Sequence, residues 1–103
     1  MINQPMLVRK KNNICTLTLN RPEMKNSLSL ELIEQIISTL EELAEDDNVR
    51  ALILSGAGDE AFCSGFDIGS LPTQSRADAD QRLKSLDQVE SLLKGLIRFP
   101  YPV

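Results

Sequence analysis

Alternation opens the chain. Leu7 to Lys11 and Ile14 to Leu19 flank Asn12-Asn13, and asparagine tolerates the positive φ that a two-residue hairpin turn demands, so this stretch predicts a β-hairpin. In the second arm Cys15, Leu17 and Leu19 alternate with Thr16 and Thr18, giving one apolar face and one of β-branched polar side chains. Cys15 is on this reading a core residue. After Asn20 to Leu28 the period changes. Ile33, Ile36, Ile37, Leu40, Leu43 and Ala44 recur three and four apart, while Glu34, Glu41, Glu42 and Glu45 take the other side, as in an amphipathic helix. Ser29 is placed to cap that helix, and Glu31 falls in its first turn, where the helix dipole favours an acid. Asp46-Asp47-Asn48 ends it.

Val49 to Ser55 is a short apolar run whose length and β-branched content predict a buried strand. Strand, helix and strand then make a βαβ unit, expected to cross over right-handed with its strands parallel. Gly56 to Ser75 is rich in Gly, Ser, Asp and Pro, with at most a helical turn near Phe66 to Leu71, and chemistry is expected there. Arg76 to Phe99 predicts a second amphipathic helix, with Leu83, Leu86, Val89, Leu93, Leu96 and Ile97 on one face and Lys84, Asp87, Glu90 and Lys94 elsewhere. Pro100 and Pro102 close it, and Tyr101-Pro102-Val103 reads as the entrance to another strand. The fold class is α/β, without repeats or an internal domain boundary.

Composition narrows the function. With 103 residues, 42% hydrophobic and 25% charged, the chain is one soluble globular unit with one modest core. A net charge of −4, with acids spread along the chain, offers no footprint for nucleic acid or an anionic membrane. No apolar run approaches a bilayer span and the first residues hold no signal-peptide core, so the expected compartment is cytoplasmic, or an organelle after processing. The chain has no histidine, and its two cysteines, Cys15 and Cys63, form no C-x-x-C pair. Ser/His and Cys/His nucleophiles and the usual zinc ligand sets are thereby excluded for this chain alone, so no metal is expected and both thiols should be free and reduced.

Two stretches carry a resemblance. Leu19-Asn20-Arg21-Pro22-Glu23-Met24-Lys25-Asn26-Ser27-Leu28-Ser29 is similar to the LNRPE-x-x-NALS segment of the enoyl-CoA hydratase/isomerase (crotonase) family. Ala51 to Ile68, ALILSGAGDEAFCSGFDI, resembles the family's strand followed by G-x-G-x-x-x-AFCAG-x-DL. The order and distance of the two also match, so the chain resembles the amino-terminal portion of such an enzyme. The resemblance implies a crotonase-type (ClpP/crotonase-like) fold, with residues 1–103 forming a single partial domain. It implies acyl-CoA thioester chemistry, most often hydration of a 2-enoyl-CoA, with coenzyme A as part of the substrate and no separate cofactor. Full-length relatives are expected as homotrimers or hexamers. Such chemistry passes through an enolate or tetrahedral oxyanion, best stabilised by preorganised backbone N–H donors. Gly65, lacking a Cβ, can free the following amide to face a pocket. The resemblance places one of two oxyanion donors at the backbone N–H of Phe66. It lines the bent CoA with main-chain atoms around Cys63, Ser64, Gly65 and Ile68, and brings Lys25 to the CoA phosphates as a point charge.

The family's second donor and its acid/base carboxylates follow a stretch like Phe99 to Val103. No Glu or Asp of this chain maps onto them, so the fragment alone is expected to bind CoA poorly and catalyse little. Each residue also has a plainer reading. Lys25 is a solvated loop charge, Cys63 a packed thiol with no base beside it, and Asp67 a brace for local backbone. Gly56-Ala57-Gly58-Asp59-Glu60-Ala61 fits the dinucleotide pattern G-x-G-x-x-G/A. Against that reading, no helix is expected at the second glycine and two acids would face the pyrophosphate. A further alternative is a non-catalytic α/β module that docks on longer relatives through its sheet edge and apolar helix stripes.

Overall fold

The computed structural model describes residues 4–66 and 76–103. Strand β1 (Met6–Lys11) pairs antiparallel with β2 (Ile14–Leu19), in a register running from Met6 opposite Leu19 to Lys11 opposite Ile14. Asn12 and Asn13 make the turn with φ of 52° and 67°, the left-handed pair that a tight hairpin requires and that asparagine accepts. Helix α1 (Leu30–Ala44) starts at Ser29, whose side-chain oxygen accepts the Leu32 N–H at 3.2 Å. Strand β3 (Ala51–Gly56) lies parallel to β2, so the sheet order is β1-β2-β3.

β3 begins two residues later than the sequence pattern suggests. The Val49 N–H still closes the turn after α1 on the Asp46 carbonyl (3.1 Å), and the Arg50 N–H donates to the Asn13 carbonyl (2.7 Å). Helix α2 (Arg76–Ile97) stops two residues short of the predicted Phe99. Phe99 and Tyr101 then meet edge to face, ring centres 6.1 Å apart. The expected entrance to a strand at Tyr101 to Val103 is irregular, yet the Pro102 carbonyl accepts the Leu52 N–H at 2.9 Å, alongside β3's outer edge. The helical turn foreseen near Phe66 to Leu71 falls at 67–71, outside the described residues.

The core joins one face of the sheet to α1. Cys15, Leu17, Leu19 and Leu52 meet Leu32, Ile33, Ile36, Leu40 and Leu43, with Val49 beneath, and each large side chain fully buried contributes about 1.5–3 kcal/mol of transfer free energy. Burial also pushes the Cys15 thiol up from its ordinary value, which leaves it inert. α2 packs on α1, but through only part of the predicted face, Val89 and Leu96, together with Leu92. Leu92 is buried, with Val89, Leu96 and Phe99 partly so, while Leu83, Leu86, Leu93 and Ile97 are 61%, 65%, 54% and 83% exposed. The apolar arc of α2 is wider than one contact, and only one flank of it meets α1. Among the described residues no helix is long and apolar enough to cross a membrane.

Candidate functional site

The loop between β2 and α1 is a knot of left-handed backbone. Pro22 opens a single 3-10 turn (Pro22–Met24), a position where its missing N–H costs nothing. Lys25 and Asn26 follow with φ of 54° and 56°, and the Asn26 N–H returns to the Arg21 carbonyl at 2.8 Å. The Asn26 side chain is wholly buried. Its Nδ2 donates to the carbonyls of Ala57 and Ala61, both at 2.9 Å, and its Oδ1 accepts the Arg21 N–H at 2.9 Å. The Arg21 guanidinium donates to the Ser27 carbonyl at 2.6 Å. The loop after β3 can fold back here because residue 56 has no side chain. A Cβ on Gly56 would stand 2.3 Å from the Phe62 carbonyl oxygen, 2.8 Å from its Cα and 2.9 Å from Asn26 Nδ2.

Onto that knot the segment 63–66 is laid by its main chain. The Ser64 N–H donates to the Lys25 carbonyl (3.0 Å), and the Leu28 N–H donates to the Gly65 carbonyl (2.8 Å), making Leu28 and Phe66 a short parallel bridge. Gly65 has φ of 102°, a conformation that L side chains rarely adopt. A trans peptide directs its C=O and N–H oppositely. Since the Gly65 carbonyl is held on Leu28, the Phe66 N–H is turned away from the loop, and no described acceptor takes it. The Gly65 N–H points at Cys63 Sγ, 3.4 Å away.

Lys25, Ser64, Gly65 and Phe66 are therefore neighbours, with Cys63 half-buried and Ser64 exposed beside them. Ile68 and Asp67 lie outside the described residues. Lys25 lines a cleft of about 300 Å³ with Pro22, Gly58, Asp59 and Glu60, so two carboxylates weaken the field its ammonium presents to an anion. Residues 57–65 contain no helix, and the dinucleotide pattern therefore lacks the helix N-terminus that would receive a pyrophosphate. Among the described residues no cluster of His, Cys, Asp or Glu is able to hold a metal ion. Sequence reasoning overlooked Asn26 and Gly56. The available signals were a turn asparagine next to another left-handed residue and a glycine at a strand end.

The family model for enoyl-CoA hydratase/isomerase matches residues 9–103. The chain is 33% identical over 99 residues to the 1,2-epoxyphenylacetyl-CoA isomerase of Escherichia coli, covering 95% of this chain and 37% of that protein. It is 35% identical over 92 residues to the mitochondrial 3-hydroxyisobutyryl-CoA hydrolase of Bos taurus, covering 89% and 24%. An enoyl-CoA hydratase from Mycobacterium smegmatis superposes with a TM-score of 0.87 at 32% identity, covering 98% of this chain and 38% of that one. The chain thus spans little more than a third, or less, of the length of these proteins.

Proposed function

The chain belongs to the enoyl-CoA hydratase/isomerase family, and from that premise we propose that it binds an acyl-CoA thioester and offers the Phe66 N–H to the oxyanion that forms at the thioester carbonyl. One observation carries this reading: the Gly65–Phe66 peptide, with Gly65 at φ 102° and its carbonyl fixed on Leu28 at 2.8 Å, presents an N–H that the described structure does not use. When a thioester is deprotonated at the α-carbon or attacked, charge accumulates on the carbonyl oxygen. A donor already aimed at that position need not reorganise during the reaction, and one such donor is worth about 10²–10³ in rate. Main-chain atoms of Cys63, Ser64 and Gly65 line the path of the CoA, and Lys25 meets its phosphates at the cleft rim.

The named relatives include an isomerase and a hydrolase, each with a CoA substrate in its name. Their common denominator is the thioester carbonyl, so the substrate class is acyl-CoA and the reaction is fixed by groups beyond Phe66. No Asp or Glu here is assigned an acid/base role. Titration calorimetry of the 103-residue chain with acetyl-CoA and crotonyl-CoA, beside a hydratase assay, is the test. Saturable binding, weakened in Lys25→Ala and without turnover, is the expected result. Absence of binding by a folded sample would sink the reading. The exposed Leu83, Leu86, Leu93 and Ile97 favour a second reading in that event, a non-catalytic module docked on a longer relative, which sedimentation with that relative would detect.

A further inference from the structure

We infer that Asn26 is a positioning residue for the oxyanion donor, the clamp that sets where the Phe66 N–H points. The inference rests on the reading of Phe66 just given and adds a residue that touches neither substrate nor donor. Asn26 stands where two loops must be held together. Through Nδ2 it grips the loop after β3 at both ends, Ala57 and Ala61, four residues apart. Through Oδ1 and its own N–H it grips Arg21. Its chain neighbours do the remaining work: the Lys25 carbonyl, one residue before it, holds the Ser64 N–H, and the Leu28 N–H, two residues after it, holds the Gly65 carbonyl. The Gly65–Phe66 peptide is thus fastened to the backbone on either side of Asn26, and the chain leading to that peptide is fastened to its side chain.

The chemistry demands asparagine. The site presents two carbonyl oxygens and one N–H, and a short side chain with two donors and one acceptor answers all three. The backbone there has φ of 56°, which asparagine accepts at least cost among residues with side chains. Aspartate has the same shape and the wrong polarity, since it would set a carboxylate oxygen against the carbonyls of Ala57 and Ala61. Gly56 completes the device, because a Cβ there would crowd Asn26 Nδ2 at 2.9 Å.

The test uses the whole 103-residue chain, crotonyl-CoA carrying carbon-13 at the thioester carbonyl, and CoA itself, which has no such carbonyl. In the wild type the bound carbonyl resonance moves downfield, the mark of a hydrogen bond to its oxygen. In Asn26→Asp the affinity for CoA should stay within about twofold, while the downfield shift disappears and the preference for crotonyl-CoA over CoA falls about tenfold. Asn26→Gly keeps the positive φ without repulsion and is the second variant should Asn26→Asp fail to fold. A downfield shift retained in a folded variant would overturn the role of Asn26 alone. A wild-type complex with no shift would overturn the assignment of Phe66 and this inference with it. If both variants lose the fold, Asn26 is a residue of global stability and the inference fails.

Discussion

The Ser27 hydroxyl is buried beside the Asn26 clamp and has no hydrogen-bond partner. An unsatisfied buried hydroxyl carries its desolvation penalty without return, so Ser27→Ala should raise stability by about 1 kcal/mol. Urea unfolding followed by circular dichroism reads this as a higher midpoint at unchanged slope, and a lower midpoint would mean the hydroxyl has a partner. Alanine stands at this place in the family segment that the chain resembles. The two glycines of the site fail for different reasons when substituted. At Gly56 the limit is space, with backbone at 2.3 Å and 2.8 Å from a new Cβ, and since that backbone cannot yield cheaply, Gly56→Ala should cost about 2–3 kcal/mol or prevent folding. At Gly65 nothing lies within 4 Å of a new Cβ, but φ is 102°. Gly65→Ala should therefore leave a folded protein, less stable by about 1–2 kcal/mol, whose Phe66 amide is re-aimed. Amide NMR of the two variants separates these outcomes.

Between elements the clearest polar tie joins the end of β1 to the turn after α1, where Lys10 Nζ lies 2.9 Å from Asp46 Oδ2. Its hydrogen bond to Asp46 raises Lys10, and the same bond, with the Asn48 N–H, lowers Asp46. A lowered carboxylate contributes stability above its ordinary pKa of 3.8 and loses it as pH falls through the lower folded value. A raised lysine contributes below 10.5 and loses it as pH climbs through the higher folded value. Lys10→Met should thus lower the neutral plateau of a melting-temperature profile slightly, since the pair faces solvent, and leave the acid end unmoved, so that the acid limb flattens. A drop in acid as large as that at pH 7 would contradict this. What the sequence makes legible follows the same division between local and tertiary. The hairpin, α1 and β3 were readable because period, turn chemistry and caps act within a few residues. The face of α2 was not, because its apolar residues span an arc of about 200° at 3.6 residues per turn, and periodicity finds the arc without saying which flank meets α1. The unusual backbone of Gly65, φ 102°, was readable through its motif. Asn26 was not, since its meaning lies in carbonyls 31 and 35 residues onward.

As a whole the molecule is under-covered. Its accessible surface is 7143 Å², against about 5,800 Å² for a compact monomer of this mass, so folding removes only about 57% of the extended chain's surface from water. The radius of gyration, 14.6 Å, likewise exceeds the roughly 13 Å of a compact domain. Part of the excess is apolar, on the outer flank of α2 and on Leu7, Ile14 and Ile53 of the far sheet face. The net stability must then sit at the low end of the usual 5–15 kcal/mol, and a single core defect should be decisive. Leu17, fully buried at the centre of β2, is the sharpest probe. Its truncation to alanine costs about 2–5 kcal/mol in lost transfer and an unfilled cavity, enough to populate the unfolded state at 25 °C. Ile97→Ala, at a site 83% exposed, should move stability by less than about 0.5 kcal/mol although it deletes more carbon than many core changes. Urea titrations of the two variants weigh burial against composition. If Leu17→Ala keeps a full cooperative transition with a midpoint near the wild type's, the core is more stable than its coverage implies, and the marginal stability argued from surface area is wrong.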